Sequence, residues 1–155
     1  MTRWLVAVLT LILFPALAGA AGVESPRHCA NCGMDRQMFA YTRAVVSYAD
    51  GKSDGTCSLR CAVEAMKKHG GKVTSLKVAD YYSRKLVEAE SAVWVVGGEK
   101  GGVMTSLAKW AFADRSGAER FVRENGGEIT PYEKVMQAAR QEVDEMDRAP
   151  DLEEE

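Results

Sequence analysis

The chain has 155 residues, a formal charge of −2 and an apolar fraction of 46%. That is enough apolar chain for one domain with its own core, and too little for two comfortable ones. With 20 basic residues against 22 acidic ones there is no positive field to gather a polyanion, which excludes a nucleic-acid partner.

In chain order, Arg3 opens a short positive region ahead of the apolar run WLVAVLTLILFPALAGAAG. Pro15 interrupts that run near its end, and Ala18-Gly19-Ala20 fits a small-residue cleavage site. Residues 1–20 therefore read as a secretory signal peptide cut after Ala20 or Ala21. The competing expectation is an uncleaved anchor, because Trp4 to Val23 is long enough to span a bilayer. No cysteine stands at the junction to carry a lipid. Either reading exports the rest of the chain, and a periplasmic location is expected. Residues 21–28 read as a short disordered lead.

Thr42 to Ala49 is a β-branched and aromatic run, followed by the turn signals Asp50-Gly51 and Asp54-Gly55. Ser58 is placed to cap a helix in which Leu59, Ala62, Val63 and Met66 recur at helical spacing, and Gly70-Gly71 stops it. A strand is expected around Lys77 to Ser83. SAVWVVGGEKGG is a second strong strand ended by glycines, and Asp114 caps a helix running to about Glu124 before Gly126-Gly127.

The two halves are related. Sliding the chain by 56 residues lays AVEAMKKHGGKV on AERFVRENGGEI, so that Ala62 meets Ala118, Gly70-Gly71 meet Gly126-Gly127 and Val73 meets Ile129. The preceding strands need a different offset, so the second copy carries an insertion, GGVMTSLA. The expected fold class is α+β: two tandem β-β-α units, about 29–73 and 80–130, packed as one domain over 21–130. From Pro131 the pattern becomes helical to roughly Met146, then acidic. Val135, Met136, Ala139, Val143 and Met146 form an apolar stripe there, the mark of a helix docked on its own domain; residues 131–155 are thus a C-terminal helix and tail.

Chemistry concentrates in HCANCGMDRQM, residues 28–38, together with Cys57 and Cys61. Three readings compete. A thioredoxin-like redox pair needs its first cysteine at a helix N-terminus after a strand, which Cys29-x-x-Cys32 does not clearly have. A closed site of four thiolates suits zinc, and a C-x2-C knuckle paired with cysteines at a helix start is a treble-clef arrangement; two disulfides would use the same residues. The third reading is Cu(I), a soft ion that takes thiolate and thioether at low coordination number. Cys32-Gly33-Met34 offers both donors across one glycine, and Met104, in the glycine-rich insertion, is the candidate third. His28 adjoins the motif as a possible nitrogen donor. His69 reads as structural at a helix end, and Met38, Met66, Met136 and Met146 read as packing.

The stretches CGMDRQMFAYTRAVVSYADG, GTCSLRCAVEAM, SAVWVVGGEKGGVMTSLAKWAFAD and AERFVRENGGEI together resemble the NosL family, exported accessory proteins of nitrous oxide reductase maturation. The resemblance covers most of residues 29–130. It implies a tandem treble-clef-like fold, also seen in the organomercurial lyase MerB. It further implies Cu(I) binding without catalysis and delivery of copper to nitrous oxide reductase, with a copper-loading membrane transporter as a further partner. Carried over by position, the ligands are Cys32, Met34 and Met104; this three-donor site does not need the other cysteines, and from the residues alone Cys29 is the next candidate, with His28, Cys57 and Cys61 ranked behind it. A structural or sensory zinc module and a thiol–disulfide oxidoreductase stand as alternatives. The helix after Pro131 lies outside the resemblance.

Overall fold

The computed structural model describes residues 23–148; the expected signal peptide and the acidic tail lie outside them. Ten elements follow in order. The first unit contains β1 (Ala44–Tyr48), β2 (Ser53–Thr56), α1 (Leu59–His69) and β3 (Val73–Ala79), with β4 (Leu86–Glu88) added at its edge. The second contains β5 (Val93–Val96), β6 (Lys109–Phe112), α2 (Arg115–Asn125) and β7 (Glu128–Thr130). A long helix, α3 (Tyr132–Arg148), closes the chain. Both sheets are antiparallel, in the orders β2-β1-β3-β4 and β6-β5-β7. This is the expected α+β fold.

The internal repeat is visible strand by strand. In each unit the first strand is central, the second follows by a hairpin, and the third arrives after the helix to pair on the other side. The helices correspond at the offset read from the sequence. Ser58 caps α1 by accepting from the Cys61 amide, as Asp114 caps α2 by accepting from the Gly117 amide, and Gly70 and Gly126 end them at φ 66° and 71°. Each unit is therefore β-β-α-β, one strand longer than the β-β-α expected. The insertion falls in the second hairpin. Ala44 pairs with Thr56, twelve positions on, whereas Val93 pairs with Phe112, nineteen positions on.

Burial follows the two-residue period of a strand on β1, where Ala44, Val46 and Tyr48 face inward. They meet Leu59, Ala62 and Val63 of α1 and Val135, Met136, Ala139 and Val143 of α3 in one core. The expected stripe on α3 thus docks on its own domain, except Met146, which stays 55% exposed. The second core is aromatic: Trp110, Phe112 and Phe121, with Tyr41, Tyr81 and Tyr82 packed against it. Tyr81 lies edge-on to Trp110 and Phe121, with centroids 5.4 and 5.0 Å away. Asp80 stitches the units together, its carboxylate accepting from the amides of Ser83 (2.6 Å) and Ala113 (2.9 Å).

Four expectations are corrected. The strand placed around Lys77 to Ser83 starts at Val73, directly after the helix stop, and Asp80 turns the chain out of it. Asp54-Gly55 is not a turn but part of β2: Arg36 lies where a side chain on Gly55 would project, 2.5 Å from an added Cβ. Met38 is not a core residue but 72% exposed. The lead is not loose over residues 23–28, because Glu24 is clamped between Arg36 and Arg43. His69 is structural as expected: its ring stacks on Tyr48 at 3.7 Å, and its Nε2 lies 3.4 Å from Asp50.

Phe121 is fully buried among rings that leave little room to collapse. Phe121→Ala is expected to lower unfolding stability by about 3–5 kcal/mol, measured by urea denaturation; a loss below 1 kcal/mol would mean that the aromatic core is not packed as described.

Candidate metal centre

The cysteines come together from two pieces of backbone. Residues 28–35 form a knuckle: His28 bridges Asp35, the Cys29 amide donates to the Met34 carbonyl (2.8 Å), and the Gly33 amide donates to the Cys29 carbonyl (2.9 Å). The turn needs a left-handed residue, which Gly33 supplies at φ 76°. The second piece is the junction of β2 and α1. Cys57 stands between the strand and the cap Ser58, and Cys61 lies in the first turn of α1, where the positive end of the helix favours a thiolate. The Ala30 amide donates to the Gly55 carbonyl (2.9 Å), tying knuckle to hairpin.

The clamp beneath the knuckle is Arg36, whose side chain is fully buried. Its guanidinium donates to the carbonyls of Thr56 (3.2 Å), Ala44 (3.4 Å), Glu24 (2.7 Å) and Pro26, and to the Glu24 carboxylate. Arg43 holds the same carboxylate at 3.0 Å. Burial works against charge on Glu24, but the hydrogen bond from Arg43 and the two guanidinium charges outweigh it and hold its carboxyl below the ordinary value.

The result is four sulfurs, of Cys29, Cys32, Cys57 and Cys61, all within 4.8 Å of one another. Cys32 Sγ lies 3.5 Å from Cys57 Sγ, which lies 3.7 Å from Cys61 Sγ. All four are free thiols. Cys29, Cys57 and Cys61 are buried, and Cys32 is half-buried at the edge. The thiols share protons unequally. Hydrogen bonds from Cys57 and Cys61 push the Cys29 thiol far below its ordinary value. Donation to Cys29 holds Cys57 far above its own and pushes Cys61 up to about 11. Cys29 is thus the one of these three thiols that ionises most readily. Such a set can hold a soft or borderline cation once the remaining protons leave.

The residues predicted from sequence fall into three places. The four cysteines form the cluster, including Cys57 and Cys61, which ranked behind Cys29. Met34 packs against it, as does Val103 of the inserted loop. Met104, next to Val103, is 40% exposed and lines a groove with Arg60 and Met146. His28 is exposed. The Cys29-x-x-Cys32 pair sits in a turn rather than at a helix N-terminus, unlike a thioredoxin-type redox pair.

Reading the sequence missed what fixes the inserted loop. The Glu142 carboxylate of α3 accepts from the Thr105 hydroxyl (2.6 Å), the Ser106 amide (2.7 Å) and the buried Lys109 ammonium (2.8 Å). Burial works against charge on Glu142, but these bonds outweigh it and hold the carboxyl below its ordinary value. Glu142 lies on a helix beyond the repeat, and no local pattern marks it as a partner of the loop.

The NosL family model matches residues 20–140. Among solved structures, the chain is similar to the copper chaperone NosL from Shewanella denitrificans, at 21% identity and a TM-score of 0.60. That match covers 77% of this chain and 96% of the other. No curated protein matches the sequence.

Two outcomes test the site. Ultraviolet titration of the metal-free protein is expected to find one thiolate already formed at pH values below the ordinary thiol range, and Cys29→Ser removes it; an unchanged titration would refute the shared-proton arrangement. Glu24→Gln is expected to cost about 1 kcal/mol at neutral pH. A carboxyl lowered in the folded state stabilises above its unfolded pKa and loses that contribution as pH falls through its folded value. The difference between wild type and variant in denaturant melts therefore closes on acidification.

Proposed function

The chain belongs to the NosL family, and from that premise we propose that it is an exported Cu(I) metallochaperone, a carrier rather than an enzyme. The observation that carries this reading is the cluster of four thiols within 4.8 Å, with Met34 packed against it. Cu(I) prefers these donors and accepts two or three of them. A site with more soft donors than the ion requires can hold it tightly and still yield one ligand at a time. Cys32, at the exposed edge, is the donor an incoming ligand reaches first.

The apolar segment ahead of residue 23 supports a periplasmic location for the carrier, released by cleavage or held by that segment. Its client is nitrous oxide reductase or another exported copper enzyme, and a copper-loading membrane transporter supplies the ion. Met104 joins the ligand set from the inserted loop, whose Val103 already packs on the cysteines.

Zinc is the second reading, favoured by one observation: a knuckle and a helix N-terminus that supply four thiols are also the ligand set of a closed structural zinc site. The two differ in consequence. Structural zinc contributes folding free energy, so its removal under reducing conditions unfolds the domain, whereas a carrier remains folded when empty.

Cys32→Ser is expected to weaken Cu(I) binding by at least about a hundredfold, and Met34→Leu by about tenfold, in anaerobic competition titrations against a chromogenic Cu(I) chelator. Undiminished affinity in Cys32→Ser would end the copper reading at this cluster. An unaltered thermal melt after exhaustive chelation would end the zinc reading.

A further inference from the structure

Tyr41 packs against both the cysteine cluster and the aromatic core of the second unit. It also walls a cleft of about 390 Å³, lined by Tyr41, Tyr81, Tyr82, Arg84 and Lys100, that the metal centre does not use. The aromatic walls support one another. Tyr81 lies edge-on to Tyr41 and Tyr82, with centroids 5.8 and 5.0 Å away, and Tyr41 stacks on the buried Trp110 at 6.3 Å.

The two cations of the cleft are held but not neutralised. Lys100 Nζ sits over the Tyr81 ring, 5.9 Å from its centroid. Arg84 has φ 60°, a left-handed conformation that a residue with a Cβ adopts at a cost. The surrounding structure imposes it: the Arg84 amide donates to the Asp80 carbonyl (2.8 Å), and the Arg84 carbonyl accepts from the buried Arg43 guanidinium (2.7 Å). Among the described residues neither Arg84 nor Lys100 has a carboxylate partner. Arg120, over the Tyr82 ring, does have one in Glu124, and the Tyr82 hydroxyl donates to the same carboxylate at 2.9 Å. The hydroxyls of Tyr41 and Tyr81 have no such partner among the described residues. The cleft therefore offers an arginine, a lysine and two phenol donors on aromatic walls, and no acid lines it.

Carboxylates answer the cations and the phenols, and an apolar side chain answers the rings. A free anion would leave the rings uncovered. A protein segment in which acidic and apolar residues alternate supplies both. The cleft also adjoins the cysteines on two sides. Tyr41 packs on them directly, and Lys100 opens the inserted loop three residues before Val103, which packs on them too. We infer that this cleft docks an acidic, apolar-spaced segment of a protein with which the chain exchanges copper, holding that partner beside the thiols. The purpose rests on the carrier reading above; the docking itself is a property of the metal-free chain.

The test uses the full chain, metal-free and reduced, and a blocked peptide of alternating aspartate and leucine, with the asparagine–leucine peptide as its neutral counterpart. The acidic peptide is expected to shift the Tyr81, Arg84 and Lys100 resonances saturably, leaving exposed Met38 unmoved, and the neutral peptide to shift none. Arg84→Gly keeps the left-handed backbone without its cost and removes the cation. It weakens binding by about tenfold, as does Lys100→Gln, and neither lowers the unfolding midpoint. No shift, or an equal shift from the neutral peptide or from acetate at the same carboxylate concentration, overturns the docking. A Tyr81 or Arg84 shift on dilution assigns the cleft to a second copy instead. One on neutralising the acidic end, by Asp151→Asn with Glu153→Gln, Glu154→Gln and Glu155→Gln, assigns it to the chain's own tail; either outcome overturns the partner. The copper-loaded chain is then expected to yield Cu(I) about tenfold faster to a two-cysteine acceptor peptide that carries the acidic segment than to one without it, an advantage that Arg84→Gly removes. A loaded chain with no such advantage overturns the cleft's part in exchange. A chain that binds the peptide but takes up no Cu(I) removes the carrier reading and leaves the cleft an acidic-segment site.

Discussion

Everything at the metal centre depends on one buried guanidinium. The knuckle that carries Cys29 and Cys32 has little apolar surface of its own, and its internal hydrogen bonds fix its shape but not its place. Arg36 places it. Its planar fork reaches the beginning of β1 at Ala44, the end of β2 at Thr56 and the lead at Glu24 and Pro26. A lysine, with a single ammonium, could not bridge these directions at once. The same side chain explains why β2 carries a glycine: only Gly55 lets the guanidinium lie flat against the strand. Two residues past that glycine stands Cys57. The distance between the two halves of the thiol cluster is thus set by a cation that never touches a sulfur.

The fold uses its duplication asymmetrically. Both copies have the same helix, cap and stop, but only the first has cysteines; Cys57 and Cys61 correspond to Ala113 and Gly117 in the second. The second copy contributes reach instead. Its hairpin is longer by seven positions, and that extra chain carries Val103 onto the cysteines and Met104 to the groove. The first unit places four thiols on rigid backbone, and the second places Met104 on a loop. Helix α3 couples them, packing on the first unit's core while fixing the second unit's loop through Glu142.

Much of this was legible in the sequence because it rests on local signals. The caps Ser58 and Asp114, the paired glycine stops and the helical spacing between them located α1 and α2, and their common offset exposed the repeat. The insertion was legible because strands and helices demanded different offsets. What escaped were pairings between distant residues. Gly55 resembled a turn residue because its real partner, Arg36, comes from another segment. Met38 resembled a core residue because the apolar run around it belongs to the knuckle's exit, where Phe39 and Ala40 turn inward and Met38 does not. The ranking of the cysteines favoured the C-x-M motif, since sequence spacing says nothing of how closely Cys57 and Cys61 approach Cys29. The Glu142 link had no local signature at all.

The ion pairs of α3 differ in how they meet the medium. Lys67 reaches Asp144 and Asp147 with half its side chain in solvent, so dissolved salt screens that contact within a few ångströms of water. Lys109 and Glu142 meet where Lys109 is almost wholly enclosed, and mobile ions cannot enter between them. A rise in ionic strength therefore loosens the end of the helix without loosening its grip on the loop. In brine or in dilute medium, the thioether of Met104 is presented from the same backbone.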